Sequence, residues 1–335
     1  MLLAAAAAPL AATAAPKQTA WDTKQIALVT AQGLLGGDAA NFRPDDSLTA
    51  DDLSQLVAGL TGKPAVPPTD PTATVTIVQL DAALVRAEGL GAAAAKFRAG
   101  LIAAGLKPPA RLGTEAVARL LGFRTDHPRS QEYREAAPGS PASRAEAAFS
   151  AAKILGWQGW EKQYVNGLAA PFAPEPVTGW QQTILQQAID LIGYPYVFAG
   201  TSEKPQTVLG QKVPGGFDCS GFVWRVEKLA SYAKGTPLAD VLRGRTTYAM
   251  SGEVPASERI PFADLEPADV LFFGTNGPKS KPAQVYHTGI YLGGGWMIHS
   301  TGTGVSLAPI TSSYYTKSFA WARRPLSRRA RHRRS

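Results

Sequence analysis

The chain has 335 residues, 45% of them hydrophobic, with one cysteine and a formal net charge of +8. That length allows two domains with cores that need no disulfides, and a single thiol excludes an internal disulfide framework. Residues 323 to 335 carry seven arginines and no acid, so the rest of the chain is close to neutral, and the charge is no footprint for nucleic acid without an aromatic platform or recognition motif.

Met1 to Ala15 is apolar and alanine-rich without a charged side chain, and Ala12-Thr13-Ala14 offers a small-residue cleavage site. Residues 1–15 therefore read as a secretory signal peptide, too short and alanine-rich for a membrane span. Lys17 is the first charge, which leaves two readings open: a start codon upstream, or a low-complexity leader.

Gln25 to Gly37 is apolar-periodic, Asn41 to Thr49 is an extended polar stretch, and Leu53, Leu56, Val57 and Leu60 recur at helical spacing. This unit of helix, loop and helix returns further along. Thr114 to Leu121 predicts a helix, Gly122-Phe123-Arg124-Thr125-Asp126 opens a polar loop, and Ala142-Ser143-Arg144-Ala145-Glu146 starts a helix running to Leu155. A weaker copy of the second helix begins at Val75-Thr76-Ile77. Three such copies, with Phe42-Arg43-Pro44 in the first and Ser143 to Glu146 in the third, resemble surface-layer homology repeats, which implies binding of wall polysaccharide. Ala50 and Ile77 stand where that family has arginine, so a purely helical spacer stays open as the other reading. Proline and threonine crowd Pro64 to Thr74, and Pro171 to Pro176 reads as a stiff linker. The expected organisation is a mainly helical repeat domain at 17–168, a proline-rich linker at 169–177, a second domain at 178–326 and a basic tail at 327–335.

Cys219 lies in Gly-Gly-Phe-Asp-Cys-Ser-Gly-Phe-Val-Trp, Gly215 to Trp224. A lone cysteine is ordinarily a small buried hydrophobe. Here a glycine turn precedes Phe222, Val223, Val226 and Leu229 at helical spacing, which puts Cys219 in the first turn of a helix. The positive end of that helix is expected to lower the thiol pKa, with Asp218 able to cap the helix and Gly221 leaving room for another chain. A nucleophilic cysteine needs a base, and the base needs an orienting group. His332 falls in the tail and His127 in a polar loop, leaving His287 and His299. Val285 to Leu292 and Trp296 to Ser300 read as two strands joined by Gly293-Gly294-Gly295. A three-residue loop pairs Leu292 with Trp296, sets His299 opposite Gly289 and puts both histidines on one face, with Cβ atoms about 7 Å apart. A two-residue loop would turn His299 to the other face.

Asp218-Cys219-Ser220-Gly221-Phe222, His287-Thr288-Gly289-Ile290-Tyr291 and Ile298-His299-Ser300 resemble the signature of the NlpC family of papain-like cell-wall cysteine peptidases. Ile192 to Gly200, Arg245-Thr246-Thr247 and Asp264 to Phe273 match its supporting segments, so the likeness covers roughly residues 178 to 326. Ala199 and Ala268 stand where that family usually has glycine, and Phe198 where tryptophan is common. The resemblance implies an α+β, papain-like domain, an antiparallel sheet with packed helices, behind the helical repeats. It implies a secreted or wall-associated peptidoglycan endopeptidase that cuts stem peptides, often between D-glutamate and the following diamino acid. In it Cys219 attacks, His287 is base and then acid, and His299 orients His287. Tyr196, Asp218 and Ser220 are the substrate or oxyanion candidates, with helix capping open for Asp218 and a core aromatic role open for Tyr196.

No metal-ligand spacing and no phosphate-binding glycine loop occur, so neither metal nor cofactor is expected. The expected partners are peptidoglycan stem peptides, wall polysaccharide for the repeats, and an anionic wall polymer or membrane surface for the tail. A non-catalytic wall-binding scaffold and a thiol-dependent acyltransferase or amidase remain the alternatives.

Overall fold

A computed structural model describes residues 22–124, 126–232 and 241–325; the leader at 1–15 and the tail at 327–335 lie outside them. The first half is helical: α1 (Thr23–Ala31), α2 (Ala50–Thr61), α3 (Ile77–Ala87), α4 (Gly91–Ala103), α5 (Leu112–Leu120), α6 (Arg144–Leu155) and α7 (Trp160–Ala169). Helices α2, α3 and α6 start alike. Thr49, Thr76 and Ser143 sit in extended backbone and accept the amide of the third helical residue, Asp52, Gln79 and Glu146. This satisfies one orphan donor per helix.

The residues just ahead of those caps close a ring. Leu48 N donates to Ala142 O at 2.8 Å, Ala142 N to Val75 O at 2.8 Å, and Val75 N to Leu48 O at 2.9 Å. The three helix starts are thus related by a local threefold arrangement, with Leu48, Val75 and Ala142 buried at its centre. At the first helical position, where α2 has Ala50 and α3 has Ile77, α6 has Arg144. Its guanidinium donates to Phe42 O at 3.0 Å, Leu35 O at 2.8 Å and Asp52 Oδ1 at 2.6 Å. A second arginine, Arg124, is buried against Asp81 at 2.6 Å, Glu146 at 2.7 Å and Ser150 at 2.8 Å. Both loops are therefore held by charge-assisted hydrogen bonds, which substitute for the solvation these groups lose.

The second half opens with α8 (Gly179–Asp190) and two small antiparallel ribbons. In them β1 (Thr201–Ser202) pairs with β4 (Gly216–Phe217), and β2 (Gln206–Val208) with β3 (Gln211–Val213). Helix α9 (Cys219–Trp224) runs on into one π turn, Arg225–Leu229, and α10 spans Thr247–Gly252. The main sheet is antiparallel and has five strands in the order β8-β7-β6-β5-β9. These are β5 (Val270–Gly274), β6 (Val285–Gly293), β7 (Trp296–Thr301), β8 (Gly304–Pro309) and β9 (Phe319–Arg323), with α11 (Ser313–Ser318) between the last two. The architecture is α+β, with an antiparallel sheet and packed helices behind a helical first half.

Alternation along the strands divides the sheet into two faces. Phe272, Ile290, Ile298 and Trp321 share a core with Phe222, Val223 and Val226 of α9. Leu271, Phe273, Tyr291 and Met297 face the other way, under Ile260, Leu265 and Tyr315. The first of these cores continues into the helical half. Phe97 of α4, Phe172 and Trp296 of β7 form an aromatic triangle with centroids 4.9, 5.0 and 5.6 Å apart. Phe172 and Val177 are buried, and Glu175 accepts the Gly294 amide at 2.6 Å. The proline-rich segment thus packs along its length instead of spanning solvent.

The hairpin of β6 and β7 departs from the expected turn. Gly293, not Leu292, pairs with Trp296, so the loop is only Gly294-Gly295. A bulge between Tyr291 and Gly293 then restores Tyr291 opposite Met297 and Ile290 opposite Ile298. The inserted residue cancels the one-residue slip that the shorter loop would impose. Gly293, Gly294 and Gly295 all have positive φ, of 104°, 59° and 79°, which explains three glycines in a two-residue turn.

Candidate active site

Cys219 begins α9, and Asp218 is its N-cap. The carboxylate of Asp218 accepts the amide of Gly221, the Ser220 hydroxyl at 3.0 Å and the Ala199 amide at 3.0 Å. Arg245 approaches both carboxylate oxygens at 3.3 Å and donates to Ser220 Oγ at 2.7 Å. Asp218 and Ser220 are therefore engaged in building the start of the helix, with Arg245 as the clamp. The motif Arg245-Thr246-Thr247 was visible in sequence, but this use of its arginine was not.

Glycine lets the turn close. A Cβ on Gly221 would lie 1.8 Å from Gly200 O, so helix and turn meet backbone to backbone. Ala199 and Ala268, the two alanines at positions where glycine is usual in the resembling family, have φ of 62° and 73°. Both sit in the left-handed region, where a side chain is strained. The glycine preference there is conformational.

His287 and His299 come together on one face. His287 Nε2 is 2.8 Å from His299 Nδ1, with ring centroids 5.1 Å apart. Gly289 makes this possible, since a Cβ there would stand 3.1 Å from His299 Cβ. Phe273 lies against His287 with centroids 5.9 Å apart, and Tyr315 of α11 brings its hydroxyl to 3.5 Å from His299 Nδ1. Tyr315 is a contributor that sequence reading missed, because nothing in its neighbourhood marks it before the sheet folds. His127 lies in its loop as expected, where it is buried with its amide and Nδ1 on Glu135 at 2.7 and 2.8 Å.

The sulfur of Cys219 faces the backbone N–H groups of Thr288, Ser220 and Cys219 itself, which favour the thiolate. Burial, and then the Asp218 carboxylate, outweigh them and push the thiol up to about 12. The expected lowering by the helix terminus is thus reversed, because burial and then the capping carboxylate outweigh the backbone donors. Burial holds His287 down to about 4, and holds His299 well below the ordinary histidine value, with His287 adding to the effect. Sulfur and ring therefore rest as a neutral pair. Tyr196 bridges to Phe217 beside the site; burial, and then Cys219, raise its hydroxyl so that it keeps its proton.

A half-buried thiol at a helix start, on a domain whose antiparallel sheet carries two hydrogen-bonded histidines, defines a thiol-centred α+β domain equipped for acyl chemistry. Residues 193–324 match the model of the NlpC/P60 family, and this part of the chain is an NlpC/P60 domain. Among curated proteins, the chain is 28% identical over 151 residues to a gamma-D-glutamyl-L-lysine dipeptidyl-peptidase of Bacillus subtilis, covering 44% of this chain and 42% of that protein. It is 31% identical over 145 residues to the bifunctional muramidase/DL-endopeptidase CwlT of Bacillus subtilis, covering 42% and 36%. The chain thus spans well under half the length of these relatives. A crystal structure of an NlpC/P60 family protein from Bacillus cereus aligns with 25% identity and a TM-score of 0.34, covering 45% of this chain and 41% of that one.

Proposed function

We propose that the chain is a secreted peptidoglycan endopeptidase that hydrolyses stem peptides at the bond between D-glutamate and the following diamino acid. The observation that carries this reading is the 2.8 Å contact of His287 with His299, next to a thiol that faces the amide of Thr288. In the tautomer that serves catalysis, His287 Nε2–H donates to His299 Nδ1 and His287 Nδ1 keeps its lone pair for the thiol proton. Cys219 Sγ forms the bond to the acyl carbon as that proton passes to His287, and the carbonyl electron pair moves onto oxygen. Amides at the start of α9, with the protonated Tyr196 hydroxyl, are the donors suited to that oxyanion. The imidazolium returns its proton to the departing amine as the C–N bond breaks, leaving a thioester. Water then adds through the same base, giving the carboxylic acid and the free thiol.

The repeats are assigned a holding role at wall polysaccharide. The ring of hydrogen bonds among Leu48, Val75 and Ala142 supports a threefold repeat, and an open cavity of about 740 Å³ lies between α2 and α3. Arg144 is engaged internally and so is not the free cation that an anionic glycan would require. The basic tail at 327–335 is assigned to an anionic wall polymer or membrane surface. Two arginines ahead of it are already occupied, Arg323 by Glu253 at 2.9 Å and Arg324 by Glu266 and Asp269 at 2.6 and 2.9 Å. No helix among the described residues is long and apolar enough to cross a membrane.

The deciding experiment is mass spectrometry of fragments released from diaminopimelate-type peptidoglycan by the wild-type protein and by Cys219→Ala. Stem-peptide fragments from wild type alone support the reading and identify the bond. An intact wall with the protein bound to it overturns it in favour of a scaffold, and a transferred acyl group in favour of an acyltransferase.

A further inference from the structure

A cavity of about 220 Å³ that the chemistry above does not use is lined in part by His299. It is lined by Thr301 and Ser306 of the β7–β8 hairpin, by Ser312 and Tyr315, and by Tyr164 of α7. The helical half therefore supplies part of a pocket that touches the histidine pair. Arg119 also borders it, but its side chain is only 1% exposed and is held by Glu115 and Gly193 O. Apart from Arg119 and His299 the lining is uncharged, with hydroxyls and the rings of Tyr164 and Tyr315 beside Leu120, Leu307, Ala308 and Pro309.

Rings in contact with the lining residues continue the same chemistry. Trp160 and Tyr164 stack edge to face on α7 at 6.2 Å. Tyr315, in the lining, meets Tyr314 at 5.0 Å, and Tyr314 Oη lies 3.3 Å from Tyr286 Oη, one residue from His287. Trp160, Tyr164, Tyr286 and Tyr314 are 58, 44, 43 and 60% exposed. A monomer gains nothing by holding these four large rings in water, and such rings have an apolar face and a polar tip. The lining itself offers a charged ligand no accessible counter-ion, and a flexible peptide would leave the flat faces poorly covered. A pyranose ring fits both features, since its axial C–H groups cover an aromatic face while its hydroxyl and acetamido groups reach the Ser and Thr hydroxyls.

The geometry points to a subsite for neutral N-acetylated sugar rings, formed by this cavity and its aromatic rim, so that the preferred substrate is a stem peptide still attached to its glycan. This rests on the peptidase reading and specifies which form of its substrate is taken. Because Tyr315 touches both His299 and the cavity, an occupied subsite lies directly against the catalytic pair.

The test uses the full chain with two soluble substrates, the same stem peptide free and joined to its disaccharide, and the variants Tyr164→Ala and Tyr314→Ala. The wild type should show a kcat/KM about tenfold higher for the glycan-linked form, equivalent to about 1.4 kcal/mol. Either variant should remove that preference while leaving the free peptide unaffected. Equal kcat/KM for the two forms in wild type, or a preference that survives both variants, overturns the inference. Calorimetric titration of Cys219→Ala with a β-1,4-linked N-acetylglucosamine tetramer needs no turnover. Binding lost in Tyr164→Ala upholds the subsite even where no peptide is cut, and absence of binding refutes it whatever the peptidase assay gives.

Discussion

Gly221→Ala adds one methyl group two residues after the proposed nucleophile, and its consequences follow from where that methyl would go. The new Cβ would stand 1.8 Å from Gly200 O and 3.0 Å from Asp218 Oδ1. Carbon and carbonyl oxygen ordinarily approach to about 3.3 Å, so roughly 1.5 Å of retreat is required. Gly200 cannot give way alone, since its amide is bonded to Val197 O and its carbonyl accepts from Asp218 N. The retreat therefore falls on the first turn of α9, which carries Cys219. Overpacking of this kind costs about 1–3 kcal/mol, and each kcal/mol lowers Tm by about 2–4 °C in a domain of this size. Activity suffers more, because a displacement of about 1 Å at a reacting atom costs on the order of 100-fold. Thermal unfolding and fragment release from peptidoglycan, measured on one preparation, read both effects. A variant that melts with wild type and cuts at the wild-type rate would show that α9 and the Gly200 turn do not meet as described.

Ala199→Gly relieves about 1–2 kcal/mol of left-handed strain and gives back about 0.4–1 kcal/mol in unfolded-chain entropy, so a higher urea midpoint is expected. Ala268→Gly also removes a buried methyl worth about 0.8 kcal/mol, and its midpoint should barely move. Arg124→Leu leaves Asp81 and Glu146 buried without their partner and should cost about 3–5 kcal/mol in unfolding free energy. An unchanged midpoint would mean that the ion pairs are not formed. The base must be unprotonated to take the thiol proton, so with His287 held at about 4 the acid limb of kcat/KM should fall near pH 4. An acid limb at the ordinary histidine value of about 6.5 would refute the neutral pair. The same depression has a sign for stability: the contribution of His287 and His299 is whole above pH 6.5 and is lost as pH falls from there through their lower folded values.

The constellation was legible because it is local in sequence and periodic. A glycine turn followed by Phe222, Val223 and Val226 fixes a helix start at Cys219, and two short alternating strands around three glycines fix a hairpin. What remained open was register, and it was decided by one bulged residue near Leu292 that no propensity marks. Helix α4 escaped for a related reason, since Gly91-Ala92-Ala93-Ala94-Ala95 has no contrast between faces for a period to show. The thiol pKa was misjudged because proximity in sequence gave the helix terminus but not the depth of burial. The roles of Arg245 and Tyr315 depend on contacts 25 and 16 residues away in sequence, with Ser220 and His299.

The neutral resting pair changes what the capping network is for. A catalytic thiol is usually described as needing an environment that ionises it, yet here Asp218 stands beside the sulfur and opposes ionisation. Its carboxylate is nevertheless occupied by the amides of Gly221 and Ala199, by Ser220 and by Arg245, so it fixes the direction of the first helical turn and with it the donors that would meet an oxyanion. Geometry is thus set at the expense of thiol acidity, and in the proposed reaction the proton leaves as the sulfur meets the acyl carbon. The thiolate is also the form that oxidants attack, so a thiol that stays protonated at rest is protected from them. For an enzyme proposed to work outside the cell with a single cysteine, holding that sulfur neutral until substrate arrives reconciles a reactive residue with an oxidising surrounding.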